Sequence, residues 1–151
     1  MQAKALYLSA SLFTAAEQAF NRDLAAALRS VGYTVFLPQE IDQAQDQRKI
    51  FDLNVQELTA CDLILAIADG PDVDSGVAWE MGYACVLGKP VVALRTDFLQ
   101  SGEVKGVGVN LMLYYGAMVY AGEQNGSIEV VEKKVLDEDR DLPNQTTRLT
   151  R

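Results

Sequence analysis

One carboxylate stands apart from the rest. Glu80 is the only acidic or basic residue in segment 75–87, and its neighbours three and four positions away are Gly76, Val77, Tyr83 and Ala84. In a helix those are the side chains that touch it. A carboxylate among apolar and small groups loses hydration, so its pKa rises unless something donates to it. Every tenfold weakening of its acidity costs about 1.4 kcal/mol, and groups carrying such a cost are candidates for chemistry. The plainer alternative is a Glu on the outer face of a half-buried helix, but a helix apolar on nearly every side has little outer face. Gly76 and Gly82 leave room beside the carboxylate for a ligand.

The run Asp69-Gly70-Pro71-Asp72-Val73-Asp74 precedes this segment. Asp is common in turns and at helix N-caps, and Asp74 is placed to cap a helix opening at Ser75. Three carboxylates could also hold a hard cation, but no EF-hand spacing and no phosphate cradle accompany them. A third reading pairs Asp74 with Glu80. Two carboxyl groups on one ligand can break a glycosidic bond, one at the sugar carbon and the other handling the proton of the leaving group. Tyr7, late in the first apolar run, is by default a core aromatic; its phenol could also donate to a buried carboxylate.

Other chemistries are removed by composition. The chain of 151 residues has no histidine, so Ser-His-Asp and Cys-His triads are excluded, as is the commonest transition-metal ligand. Lys and Arg number 13 against 21 Asp and Glu, a net charge of −8. That balance argues against nucleic acid and anionic membranes as partners. Cys61 and Cys85 are too few and too far apart for a zinc or redox motif and read as core residues. No GxGxxG and no GxxxxGK[ST] occurs, no apolar run reaches the ~20 residues of a membrane span, and no signal-peptide pattern opens the chain. A cytoplasmic protein is expected, with no cofactor and no metal.

The elements that must position these residues alternate between strand and helix. Residues 5–9 form a compact apolar strand. Thr14 and Glu17 make a capping box for a helix over 14–30, in which Phe20, Leu24, Ala27, Leu28 and Val31 recur at helical spacing and Gly32 ends the run. A strand over 33–37 stops at Pro38, and 39–47 is a polar loop of the kind that covers a site. Ile50, Leu53, Leu58 and Cys61 mark a second helix, 63–67 a central strand, 75–87 a third helix, and 91–94 a fourth strand. A loop over 96–109, a fifth strand over 117–120 and a last helix over 128–136 complete the domain of residues 1–138. Residues 139–151 form a charged tail, frayed or docked on a neighbouring subunit. This is a single-domain α/β fold, a flavodoxin-like or Rossmann-like parallel sheet of about five strands with helices on both faces. Ligands bind such sheets at the carboxyl ends of the strands. That rule selects Ser9 to Phe13, Gln39, Asp69 to Ser75 with Asp72 among them, and 95–98 as lining.

Tyr7-Leu8-Ser9-Ala10-Ser11-Leu12-Phe13 with Ala16-Glu17 and Phe20-Asn21, then Val35-Phe36-Leu37-Pro38-Gln39, resembles the N-terminal half of the nucleoside 2-deoxyribosyltransferase family. Cys61-Asp62, Asp72-Val73-Asp74-Ser75-Gly76, Glu80-Met81-Gly82-Tyr83-Ala84, Gly88-Lys89-Pro90 and Asn110-Leu111-Met112-Leu113 continue the likeness, which covers most of residues 5–120. The Asp-x-Gly-x-x-x-Glu-x-Gly-Tyr-Ala string is its most specific part. The family exchanges the base on 2′-deoxynucleosides with retention at the sugar. The resemblance implies that Glu80 is the nucleophile and forms a deoxyribosyl ester, that Asp74 binds the nucleobase and manages its proton, and that Tyr7 hydrogen-bonds Glu80. Gln39 is expected along the base. Asn54 falls where many relatives carry a base-contacting Asp, so the choice between purine and pyrimidine stays open. Asn110, with Met112 near it, is expected to reach the sugar or nucleophile of an adjacent subunit. Ser9, Phe13, Asp72 and Gly76 complete the expected substrate-binding set. The implied partners are deoxynucleosides and free nucleobases, and a homo-oligomer (dimer-based, a tetramer or hexamer) whose site is completed by a neighbour.

Two rival readings differ in testable ways. The first is an N-glycoside hydrolase of nucleosides or of deoxynucleoside 5′-monophosphates; cleaving the monophosphates needs phosphate donors after the first strand, where this chain has Ser11-Leu12-Phe13-Thr14 and no Arg or Lys from there to Arg22. A non-catalytic nucleoside- or nucleotide-sensing module would keep Tyr7 and the glycines without needing Glu80 as an unhindered nucleophile.

Overall fold

The computed structural model describes residues 4–97, 99, 102, 109–116 and 118–119. Strand β1 (Ala5–Ser9) leads to α1 (Ala15–Ser30), β2 (Thr34–Phe36), α2 (Gln47–Ala60), β3 (Leu63–Ile67), α3 (Ser75–Val86), β4 (Val91–Leu94), α4 (Leu111–Gly116) and β5 (Met118–Val119). The five strands form one parallel sheet in the order β2-β1-β3-β4-β5. The chain steps from β1 outward to β2, then crosses back to β3 on the other side of β1. The crevice beyond the carboxyl ends of β1 and β3 is therefore the switch point at which doubly wound sheets bind ligands.

Alternation along the strands sorts the core into two layers. Leu6 and Leu8 of β1, Leu63 and Leu65 of β3, and Val92 and Leu94 of β4 pack with Leu24, Ala25 and Leu28 of α1 on one face. Tyr7, Ile64, Ala66, Val91 and Ala93 pack with Leu58 of α2 and Val77, Met81 and Ala84 of α3 on the other, where Leu113 and Tyr114 of α4 join them. Strands buried on both faces read as unbroken apolar runs, as 63–67 does.

Local signals set the boundaries. Thr14 and Glu17 form the capping box at α1, whose helical residues begin at Ala15, and Gly32 follows the helix at φ 102°. Asp46 caps α2 with its side chain, and Asp74 caps α3. The ladder of β2 is shorter than the run 33–37: Tyr33 and Leu37 are buried but lie outside it, and a 3₁₀ turn, Pro38–Glu40, overlaps the start of the loop expected over 39–47. Helix α4 goes beyond the sequence expectations; Asn110 opens it, its Oδ1 accepting from the Met112 amide at 2.9 Å. The expected helix over 128–136 and the tail over 139–151 lie outside the described residues, as does most of loop 96–109.

Candidate active site

The site starts at the end of β1. Strand alternation that sends Leu6 and Leu8 toward α1 sends Tyr7 and Ser9 together toward α3. Both are fully buried. The Tyr7 ring stacks on Phe36 at 5.3 Å, which fixes its phenol. From α3, Val77, Met81 and Ala84 form the buried stripe, and Glu80 sits beside that stripe, facing the strand. The Tyr7 hydroxyl donates to Glu80 Oε1 at 2.6 Å and the Ser9 hydroxyl to Oε2 at 2.5 Å.

Burial pushes the Glu80 carboxyl above the ordinary carboxylate range. The bonds from Ser9 and Tyr7 favour the ionised form and oppose that rise, while Asp74 adds repulsion. Burial, and then the adjacent Glu80 charge, hold the Tyr7 phenol far above its usual value, so it remains a donor wherever Glu80 titrates. The arrangement is a half-desolvated carboxylate with each oxygen held by a neutral hydroxyl. Such a group can attack an electrophilic carbon or stabilise positive charge.

Asp74 opens the same helix. Its Oδ1 accepts from the Gly76 and Val77 amides at 2.9 and 3.1 Å, leaving Oδ2 for a ligand. Gly76 belongs to this geometry, since a Cβ there would stand 3.1 Å from Asp74 Oδ1. Gly82 is different. It faces open space and lines neither hollow described below, so it makes no room for a ligand beside Glu80.

Two hollows adjoin the first turns of α3. The larger, about 490 Å³, lies at the switch point and is lined by Ser11, Glu17, Asn21, Asp69, Asp72, Asp74 and Thr96 among others. The smaller, about 250 Å³, lies between α2 and α3 and is lined by Phe51, Asn54, Val55, Leu58, Gly76, Trp79 and Glu80. Glu80 thus opens into the smaller hollow and Asp74 into the larger. Among the described residues, no Lys or Arg lines either. The Asn54 side-chain oxygen is buried without a hydrogen-bond partner among the described residues, which costs about 1–3 kcal/mol.

The other expected residues are distributed differently. Gln39 is engaged within the fold: its Oε1 accepts from Asn21 at 3.0 Å, and its Nε2 donates to the Gln18 carbonyl at 2.9 Å. Phe13 is exposed, as are Asn110 and Met112, and none of the four lines either hollow. Arg95, Thr96, Asp97 and Asp69 act together as a clamp on the loop that carries Asp72 and Asp74. The Asp69 carboxylate accepts from the Thr96 amide at 2.5 Å and also from the Thr96 hydroxyl. Asp97 accepts from the Gly70 amide at 2.5 Å and from Arg95 at 2.7 Å, and Arg95 donates to the Gly70 carbonyl at 2.9 Å. Sequence reasoning missed Phe51 and Trp79 as lining; the available signal was an aromatic directly before Glu80 and another three residues before Asn54.

Comparison with known proteins bears on the family and the fold. A family model described as nucleoside 2-deoxyribosyltransferase matches residues 6–112. A conserved protein from Enterococcus faecalis V583 is 26% identical, with a TM-score of 0.71 over 90% of this chain and 99% of its own. A 2-deoxyribosyltransferase from Bacillus psychrosaccharolyticus is 25% identical, with a TM-score of 0.65 over 85% of this chain and 90% of its own. The Clostridium botulinum CMP N-glycosidase BcmB, 20% identical, with a TM-score of 0.61 over 92% of this chain and 100% of its own, shares the fold. No curated protein sequence matches significantly. With its motif string, its parallel sheet and a model match over most of its length, the chain belongs to the nucleoside 2-deoxyribosyltransferase family.

Proposed function

We propose that the protein transfers 2-deoxyribose between nucleobases by a retaining double displacement. The observation that carries this reading is the doubly hydrogen-bonded, partly desolvated Glu80 carboxylate at the mouth of a hollow of nucleobase size. Glu80 attacks C1′ as the C1′–N bond breaks. The base leaves with the bonding electrons and takes a proton managed by Asp74. The resulting deoxyribosyl-Glu80 ester is then attacked by a ring nitrogen of a second base, which loses its proton as the C1′–O bond breaks and frees the carboxylate. Both steps pass through oxocarbenium-like states that a nearby carboxylate stabilises.

In this reading the base is placed over Gly76, which lines the smaller hollow and whose amide donates to Asp74, so that Phe51 and Trp79 wall it on one side, Asp74 stands on the other, and Asn54 is part of the lining. An amide offers both a donor and an acceptor, so it can meet either a carbonyl or an amino group of a base. The ester must meet a base rather than water, which requires cover. Met112 and Tyr115 on α4 and Val86 on α3 are 72%, 77% and 82% exposed, an apolar surface that a second copy of the chain would cover. Asn110, at the head of α4, would enter the neighbour's site from that side.

The competing hydrolase reading, with water as acceptor, shares the first half-reaction. A 5′-monophosphate substrate is disfavoured because no described basic side chain lines either hollow and four carboxylates line the larger. Product analysis with deoxyinosine or thymidine as donor and adenine or cytosine as acceptor tests the proposal. New deoxynucleoside in excess over free sugar supports transfer; free deoxyribose alone replaces it with hydrolysis.

A further inference from the structure

We infer that Ser9 is a positioning residue that, together with Tyr7, locks the rotation of the Glu80 carboxylate for attack on the sugar. The assignment rests on the transfer reading above and differs from a direct substrate-binding role for Ser9.

A terminal carboxylate torsion is broad and roughly two-fold, so one hydrogen bond leaves the group free to swing about the bonded oxygen. Here two donors, two residues apart on one strand, take one oxygen each: Tyr7 on Oε1 at 2.6 Å and Ser9 on Oε2 at 2.5 Å. Both donors are fully buried on β1, Tyr7 in the ladders to β2 and β3 and Ser9 in the ladder to β3, so the backbone that carries them is fixed. Each oxygen keeps an unshared lone pair, and the fixed plane presents it in one direction. A hydroxyl buried as completely as that of Ser9 and already given to Glu80 is unavailable for a ligand elsewhere. Once C1′ is bound to one oxygen, the other becomes the ester carbonyl and still has its donor. When the acceptor base displaces the carboxylate, charge returns to a group already held by two hydroxyls.

The groups that face Glu80 are Tyr7 from β1 and Asp74 from the start of α3, while Asn54 from α2 shares its hollow without titrating. Tyr7 stays protonated wherever Glu80 titrates, and the Ser9 hydroxyl is bonded to Glu80, so the ¹³C signal of Glu80 itself reads the effect of the substitution.

The test is Ser9→Ala in the full chain, which removes one oxygen and adds no bulk. Steady-state base exchange is expected to show kcat reduced roughly 10- to 100-fold, the value of a charge-assisted hydrogen bond, with KM changed by less than about threefold. The acid limb of the pH profile should move to higher pH. A titration of the Glu80 side-chain carbon by ¹³C NMR should move the same way, a readout that survives even if the protein proves not to be a transferase. A carboxyl titration unmoved by Ser9→Ala overturns the inference. So does a defect confined to KM, which would make Ser9 a substrate contact. Wild-type protein that releases no base and forms no adduct defeats the transfer reading, while the NMR midpoint still decides whether Ser9 holds Glu80.

Discussion

Tyr7 and Glu80 are 73 positions apart in the chain, yet the phenol of one donates to the carboxylate of the other at 2.6 Å. The contact exists because β1 lies beside β3 in the sheet and α3, which follows β3, packs over the face to which Tyr7 points. Tyr7→Phe keeps the ring and its stacking on Phe36 and removes only the donor. We predict a fall in kcat of about 10- to 100-fold with thermal stability nearly unchanged, checked by exchange kinetics and a melting curve on the same preparation.

Asp74 serves both the helix and the site, and two substitutions separate these duties. Asp74→Asn keeps an oxygen for the Gly76 and Val77 amides but loses the acid; Asp74→Ala loses both. The Asn variant should unfold near the wild-type temperature and exchange bases poorly. The Ala variant should in addition lose about 1 kcal/mol of stability, a drop of about 2–4 °C in Tm at this chain length.

Much of this arrangement is legible in the sequence, for identifiable reasons. Strand β3 matches its apolar run because a central parallel strand is buried on both faces, and α1 matches because its capping box is a local signal. Glu80 is visible as the one charge in an apolar helix. What lies out of reach depends on tertiary packing. Nothing in the pattern of Ser9 shows that its hydroxyl meets Glu80, since that follows from the placement of α3. Gln39 sits at a strand end as the topology rule requires, yet its amide is taken up by Asn21 and Gln18. The clamp of Arg95 and Asp97 on Gly70 joins two loops whose sequences give no hint of each other. Helix α4 is only six residues long, too short for periodicity to show.

The raised pKa of Glu80 has a consequence for stability. A carboxyl whose folded-state pKa exceeds its unfolded value favours the fold most below the unfolded range, and that contribution is lost as pH rises through the folded value. Glu80→Gln carries no such titration. Its Tm relative to wild type should therefore climb as pH is raised from the acid side to neutrality, and at this chain length each kcal/mol corresponds to about 2–4 °C. Paired melting curves across that range check the sign; a constant difference would mean that Glu80 is not held in its raised state.

Charge in the hollows predicts substrate choice. With Glu17, Asp69, Asp72 and Asp74 lining the larger hollow and no described basic side chain lining either, a 5′-phosphate meets repulsion without compensation. A deoxynucleoside should be turned over at least about tenfold more efficiently than its 5′-monophosphate, and raising ionic strength should narrow the gap. Competition between deoxycytidine and its monophosphate in one reaction measures the ratio directly.

Covalent attachment of the sugar to Glu80 is the step on which the proposed reaction depends. Intact-protein mass spectrometry after brief incubation with a deoxynucleoside, quenched without an acceptor base, tests it most directly. We predict a mass gain of one deoxyribosyl unit, located at Glu80 by peptide mapping, absent from Glu80→Ala and discharged when adenine is added. Base release by the wild-type protein with no adduct at residue 80, or an adduct that persists in Glu80→Ala, would contradict it.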